Sequence, residues 1–274
     1  CGNIPIVVGG EHPTARPLDL LTDKNVTFAV RGEGEQTMCE LVRALENGGP
    51  LERIDGLSFK HNGEVTQNRD RRLIEDLDSL PIPAREHLVN RETYRPIDFG
   101  LIMGSRGCPY ACTFCPNRNI WRGPVRFRSP RGVVDEIKRV RGTYSTEYFS
   151  FRDYSFSINR RWVKEFCSLL AQEGLDIQWE CTTRADLLSR KTVSMMKDAG
   201  CATIRVGIES GSERILKEIR KDVSLEEVRA AAQVLRDCNM YWAGYFMFGL
   251  PSETEEDIQK TLAFIDEIDP PFVT

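Results

Sequence analysis

No stretch of this chain stays apolar for anything near the ~20 residues that a membrane-spanning helix needs, so the sequence offers no such span. A basic surplus is also missing: 37 Lys and Arg stand against 41 Asp and Glu, for a net charge of -4. Without that surplus there is no electrostatic footprint of a nucleic-acid or membrane-surface partner. Histidine is sparse, with only His12, His61 and His87. A disulfide framework is lacking as well. Cysteine numbers nine, an odd count, and six of the nine lie scattered along the chain. That pattern predicts a reduced, cytoplasmic setting, and Cys167, Cys181, Cys201 and Cys238 read as small buried hydrophobes.

What is present falls into two patterns within 274 residues, a length that suits one to two domains. The first pattern runs over residues 1–98. IPIVVGG reads as a buried strand ending in the pair Gly9-Gly10, and VTFAV as a second strand. GEGEQTMCELVRALENGG is a turn followed by a helix, with Met38, Leu41, Val42 and Leu45 at helical spacing and Gly48-Gly49 as its stop. GLSFKHNGEVTQN is a hairpin turning at Asn62-Gly63. DLDSLPIPAREHL, with Pro81 and Pro83, reads as an irregular linker.

The second pattern, 99–274, alternates strand and helix. FGLIMG, EYFSF, IQWECT, ATIRVGI, YWAGYFMF and FVT are the strands. Ser129-Pro130 opens one helix, and Ser224 with Glu227 and Ser252 with Glu255 are expected capping boxes. Ile258, Leu262 and Ile265 share a helical face. Five strand–helix units and a sixth strand predict an α/β fold with a parallel sheet, curved into a partial (β/α) barrel of about six strands. The chain opens at Cys1 without a methionine and stops at a strand, so it reads as cut at both ends.

SRGCPYACTFCPNR follows the first strand of this second region. Gly104, Gly107 and Pro109 make the segment a loop, and chemistry in barrels gathers at the C-terminal ends of the strands. Cys108, Cys112 and Cys115 are therefore the candidate metal ligands. Structural zinc wants four ligands, usually as two close pairs; here there is no second pair and no histidine near in sequence. A cubane [4Fe–4S] cluster on three thiolates leaves one iron open for a cofactor or substrate. Zinc and three unliganded thiols are the alternatives.

The spacing Cys-x3-Cys-x2-Cys, with Phe114 before the last cysteine, resembles the radical S-adenosylmethionine superfamily. The likeness covers about 99–274. It implies a [4Fe–4S] cluster whose open iron chelates S-adenosylmethionine, and reductive cleavage of that cofactor to a 5′-deoxyadenosyl radical. An external electron donor such as flavodoxin or ferredoxin and a small organic or peptide substrate are implied with it. Further expected contacts to S-adenosylmethionine follow strand by strand. Phe114 would pack on adenine. Asp153, in FRDYSFS where related enzymes carry DD.F, would meet the amino group or the substrate, with a helix cap as the plain alternative. Arg184, in TTRADLL, would fork onto a carboxylate, with a surface ion pair as its alternative. Glu209 and Ser210, in VGIESGS, would meet the ribose, and Gly249, in FMFGLPSET, would allow the backbone close to adenine.

Upstream, VVGGEHPTARP, VRGEGEQT and LIEDLDSLPIPAR resemble the radical enzymes that carry an N-terminal cobalamin-binding domain. The resemblance implies that residues 1–98 hold a remnant of that Rossmann-like domain plus hairpin and linker, with Gly9 and Gly10 beside the cofactor. The Asp-x-His-x-x-Gly loop of that domain is absent and would lie before Cys1; His12, in a proline turn, is no substitute. Methyl transfer or oxidative cyclisation is the implied outcome. A methylthiotransferase would need three more upstream cysteines, and only Cys1 and Cys39 are there. A non-catalytic iron–sulfur or zinc module would have no need of an adenosyl pocket.

Overall fold

The structure, a computed structural model, describes residues 4–61, 63–121 and 123–274. It divides into two compact units. One comprises Cys1–Glu75, Gly107–Pro109 and Cys115–Pro124, the other Asp76–Arg106, Tyr110–Phe114 and Val125–Thr274. Among the described residues no helix is long and apolar enough to cross a membrane.

In the first unit the β-branched runs form strands as their composition demands. β1 (Ile6–Gly9), α1 (Glu11–Ala15), α2 (Pro17–Leu21), β2 (Val26–Val30), α3 (Gly34–Asn47), β3 (Leu57–His61) and β4 (Glu64–Gln67) follow in order. The sheet runs β1-β2-β3-β4, parallel between β1 and β2 and antiparallel beyond. Of the expected hairpin turn, Asn62 lies outside the described residues, as does Cys1. The proline turn around His12 is instead the short helix α1, with His12 exposed. The expected face of α3 is rotated by one residue. Leu41 is buried, but Met38, Val42 and Leu45 are exposed, and Thr37 and Ala44 face inward in their place. The cause is polar: the Thr37 hydroxyl donates to Asp55 O at 2.8 Å and accepts from Arg71 Nε at 2.7 Å, which fixes the helix about Thr37.

The second unit is built on β5 (Leu101–Ile102) and a short antiparallel pair, β6 (Ser105–Arg106) with β7 (Arg126–Phe127), that the sequence did not reveal. Between β6 and β7 the chain passes through the cysteine loop and α4 (Asn117–Trp121), which belongs to the first unit and packs there against α1. Then come α5 (Pro130–Tyr144), β8 (Tyr148–Phe151), α6 (Arg160–Gln172), β9 (Gln178–Arg184), α7 (Arg190–Asp198), β10 (Cys201–Glu209), α8 (Glu213–Glu218), α9 (Leu225–Asp237), β11 (Trp242–Phe246), α10 (Glu255–Ile268) and β12 (Phe272–Val273). The six strands lie in the order β12-β11-β10-β9-β8-β5, all parallel. Helices separate consecutive strands, the arrangement of an open (β/α) barrel segment.

The period of two along each strand divides this sheet chemically. Phe149, Phe151, Trp179, Cys181, Ile204, Val206 and Ile208 join helix residues such as Val133, Ile137, Phe166, Met196 and Leu235 in one core. The alternate positions form a polar ladder. Glu180 accepts from Tyr148 Oη at 3.0 Å, from Ser150 Oγ at 2.8 Å and from Arg205, whose Nη1 also donates to Tyr245 Oη at 3.3 Å. Burial works against the Glu180 charge, but the hydrogen bonds from Arg205, Ser150 and Tyr148 outweigh it and hold its carboxyl below the usual range. Cys167, Cys181 and Cys201 are buried as expected, while Cys238 is only half-buried. Burial pushes the Cys167 thiol up to about 12, which leaves it inert.

The linker is irregular as its prolines require, with single 3-10 turns at Leu77–Ser79 and Arg85–His87. It is pinned to α5: Asp78 accepts from Ser129 N at 2.8 Å, and Arg85 pairs with buried Glu136 at 2.8 Å. Ser129 caps α5 through Gly132 N, and Ser224 with Glu227 boxes α9 as expected. The cap of α10 differs. Thr254 and Asp257 form its box, and Ser252 sits before it in a left-handed conformation. The face of α10 shifts accordingly: Asp257, Thr261, Phe264 and Ile268 are buried, Ile258 and Ile265 half-buried, and Leu262 exposed. Polar contacts again set the register. Thr261 Oγ1 accepts from Gly211 N at 2.9 Å, and Asp257 accepts from Ser212 Oγ at 2.6 Å.

Gly211 is where this turn and α10 touch. A Cβ there would lie 2.6 Å from Phe264 Cβ, 2.7 Å from Thr261 Cα and 2.8 Å from Lys260 O. Since backbone cannot yield as a side chain can, Gly211→Ala should destabilise by about 1–3 kcal/mol. Urea unfolding followed by circular dichroism would measure it, and an unchanged midpoint would refute this packing.

Candidate radical cofactor site

The cysteine loop leaves and rejoins the second unit through a clamped base. Asp153, just past the end of β8, is 5% exposed. Its carboxylate accepts from Gly104 N at 3.0 Å and from Ser105 Oγ. Arg128 N donates to Gly104 O at 2.9 Å, and Trp162 Nε1 donates to Arg128 O at 2.6 Å. The two ends of the excursion between β6 and β7 are thus tied down, one to Asp153 past β8 and the other to Gly104 and to α6. Asp153 caps no helix; the cap of α6 is Asn159. Burial raises the Asp153 carboxyl to about 6, against the partial relief its donors give.

Cys108, Cys112 and Cys115 are half-buried, and none of the eight described cysteines is in a disulfide. Among the described residues no three His, Cys, Asp or Glu side chains stand close enough to hold a metal ion. The fit to a cluster therefore rests on the donor set itself: three half-exposed thiols on one short loop, the chemistry that thiolate-ligated clusters use. Asn117 Nδ2 donates to Cys108 O at 2.9 Å. In the second unit, Thr113 N donates to Ile219 O at 2.9 Å, and Phe114 packs on the cluster of Ile215, Leu216, Ile219 and Leu250, with Met247 beside it. The Arg184 guanidinium lies 3.6 Å from the centre of the Tyr110 ring.

The other expected residues occupy the C-terminal ends of later strands. Arg184 is not a surface residue; it is 4% exposed. Its Nε and Nη2 reach Asp186 at 2.9 and 3.3 Å, while Nη1 and Nη2 donate to the carbonyls of Lys221 and Asp222 at 2.7 and 2.8 Å. Glu209 has φ 71° and accepts from Lys221 Nζ at 2.7 Å, both side chains being buried. Gly207 makes room for that pair, since a Cβ there would lie 2.7 Å from Glu209 Oε1 and 2.9 Å from Lys221 Nζ. Ser210 Oγ lies 3.1 Å from Thr261 Oγ1 and accepts from Ser212 N at 3.1 Å. Gly249, with φ 80°, has open space where a side chain would be, and its N donates to Glu253 Oε2 at 2.6 Å.

Arg184 and Glu209 are thus joined through Lys221, and Asp153 belongs with the base of the loop. Gly9 and Gly10 lie in the first unit, at the end of β1. Thr14 links Gly10 to a residue that the sequence did not single out: its Oγ1 donates to Gly10 O at 2.6 Å and accepts from Gly32 N at 2.9 Å. Gly10 and Gly32 both have positive φ, and a Cβ on either would meet nothing within 4 Å. Lys221 and Tyr110 were also missed. Lys221 lies in IRKDVS, which reads as charged surface; it is turned inward by left-handed neighbours, Arg220 and Asp222.

The buried Asp153 carboxyl makes stability depend on pH. Its protonated form is favoured in the fold, so that contribution to stability is full below about pH 4 and is lost as pH rises to about 6. The stability difference between the parent and Asp153→Asn should therefore change between pH 4 and 6 by up to about 3 kcal/mol, and stay level above pH 6. Chemical denaturation across that range would test it; a level difference throughout would contradict the buried carboxylate.

The Radical SAM superfamily matches over residues 102–265. An uncharacterized methyltransferase of Pyrococcus horikoshii is 35% identical over 97% of this chain and 59% of its own length. The anaerobic magnesium-protoporphyrin IX monomethyl ester cyclase of Synechocystis is 30% identical over 98% of this chain and 54% of its own. The chain thus spans little more than half the length of these relatives. Among solved structures, the radical S-adenosylmethionine methyltransferase TsrM from Kitasatospora setae, with cobalamin and a [4Fe-4S] cluster bound, has a TM-score of 0.85 at 19% identity, covering 99% of this chain and 54% of that one. The cobalamin-dependent enzyme OxsB has a TM-score of 0.79 at 23% identity, covering 95% and 39%. The matched span takes in the clamped cysteine loop and the ends of β8 to β11: the chain belongs to the radical S-adenosylmethionine superfamily.

Proposed function

We propose that this chain is the radical core of an enzyme that cleaves S-adenosylmethionine reductively and uses the result for methyl transfer or oxidative cyclisation of a small organic substrate, in association with cobalamin. The observation that carries this reading is the anchored loop of Cys108, Cys112 and Cys115, leaving the C-terminal end of a parallel sheet whose later strand ends bear Arg184, Glu209 and Gly249. When bound to those thiolates, a [4Fe–4S] cluster supplies the electron for cleavage and an open iron for the amino and carboxylate groups of S-adenosylmethionine.

The chain's own residues then divide the work. Phe114 and the open space over Gly249 give adenine an apolar face and close backbone. Glu209 and Ser210 form the ribose side, held by Lys221 and Thr261. The polar ladder of Tyr148, Glu180, Arg205 and Tyr245 offers donors and acceptors to a substrate on that face of the sheet. Residues 1–98 read as part of a cobalamin-binding domain with hairpin and linker, and 99–274 as the radical core. The open strand ends at Gly10 and Gly32 support the cobalamin assignment, since a parallel sheet receives cofactors at that edge. The methyltransferase and cyclase names of the relatives support the two outcomes. An external donor such as flavodoxin or ferredoxin would bring the electron, and cysteines without disulfides suit a reduced cytoplasmic setting.

Anaerobic reconstitution should load about four irons per chain, as a cubane requires, with broad visible absorbance. Alanine at Cys108, Cys112 or Cys115 should abolish loading, and Cys167→Ala should not. Reduced by dithionite, the loaded protein should release 5′-deoxyadenosine from S-adenosylmethionine. Stoichiometric zinc without iron uptake would sink the proposal.

A further inference from the structure

Arg184 stands out because its guanidinium has no bidentate edge left for a ligand. The Nε/Nη2 edge faces the Asp186 carboxylate at 2.9 and 3.3 Å, and the Nη1/Nη2 edge faces the carbonyls of Lys221 and Asp222 at 2.7 and 2.8 Å. Four of the five N–H donors of an arginine are thereby occupied. A free carboxylate binds arginine through such an edge, so a cofactor carboxylate would have to displace one of these partners from a buried group. What Arg184 still presents is a flat face, and Tyr110 covers it at 3.6 Å.

The partners form a closed circuit. Tyr110 and Thr113 flank Cys112 in the loop. Thr113 N donates to Ile219 O at 2.9 Å. Ile219 begins the turn in which the carbonyls of Lys221 and Asp222 hold Arg184. That turn carries two left-handed residues, Arg220 at φ 52° and Asp222 at φ 50°. Arg184 returns to the loop through Tyr110, and Phe114 adds apolar contact with Ile219 and its neighbours.

We propose that Arg184 is a positioning residue: locked by Asp186 and the 221–222 carbonyls, it holds the Tyr110–Phe114 segment by stacking on Tyr110 and so fixes Cys112 for cluster binding. This rests on the reading that the three cysteines hold a cluster. Its tests therefore include one made without any cluster.

Hydrogen exchange over residues 110–114 in the cluster-free protein reports how often the segment opens. A partly buried cation–π contact should suppress opening by about tenfold. Tyr110→Leu should speed exchange there by that factor, Tyr110→Phe should keep the parent rate, and exchange in β9 and β10 should not move. Arg184→Lys, which keeps charge but loses the fork, should speed the same segment, and the double variant should be no faster than the faster single one, because both remove one contact. After reconstitution, iron loss to a ferrous chelator should follow the same ranking. Parent-like exchange in Tyr110→Leu, a Tyr110→Phe variant as fast as Tyr110→Leu, or additive effects in the double variant would overturn the proposal. Iron uptake that survives alanine at all three cysteines would instead overturn the cluster reading, leaving the exchange result to stand or fall alone.

Discussion

A parallel sheet covered by helices on one face sends every strand out at the same end, and that constraint governs the second unit. The helices bury Phe149, Trp179, Ile204 and their neighbours. The alternate residues must then face the other side, where charge and hydroxyls are tolerated only in mutual hydrogen bonds. The ladder of Tyr148, Ser150, Glu180, Arg205 and Tyr245 is that solution. At the strand ends the same rule applies with less water. Glu209 is buried because Lys221 neutralises it, and Arg184 because Asp186 and two carbonyls surround it. Removing one partner of such a pair leaves an uncompensated charge, which costs far more than the pair contributes.

This also explains which parts of the molecule the sequence discloses. The parallel sheet was legible because apolar runs separated by amphipathic helices call for parallel strands joined by crossovers. The three thiols were legible because their spacing is local. Helix faces were less so. In α3 and α10 the hydrophobic residues alone point to one face, yet Thr37, and Asp257 with Thr261, turn each helix to another. A buried threonine or aspartate looks like surface in a pattern of apolar residues, so the reading counts it on the wrong side.

The site shows the same limit at longer range. Arg184, Glu209 and Ser210 were singled out because TTRADLL and VGIESGS are local stretches that resemble those of the superfamily. Lys221 and Tyr110 were not, because their contacts lie with partners 12, 37 and 74 residues distant and in an unusual backbone: Lys221 is turned inward between two left-handed residues. The β6–β7 pair escaped for a related reason. Two residues on each side carry no periodic signal, and only the donors around Asp153 and Trp162 reveal that the loop has a fixed base.

A loop that is to gather three thiolates, as proposed for Cys108, Cys112 and Cys115, faces an entropic problem. Each ordered backbone residue costs roughly 1–2 kcal/mol, and metal binding must supply whatever ordering the fold has not already supplied. Here the cost is met in parts. Asp153 and the Arg128–Trp162 contacts fix the base, Thr113 and Phe114 fix the middle against Ile219, and the Arg184–Tyr110 stack adds a further restraint. None of these contacts uses a cysteine side chain. The backbone about Cys112 is thereby restrained. Of the groups doing the restraining, Asp153 and Arg184 are buried charges at the ends of β8 and β9, so the loop depends on polar groups that the sheet sends out at that end.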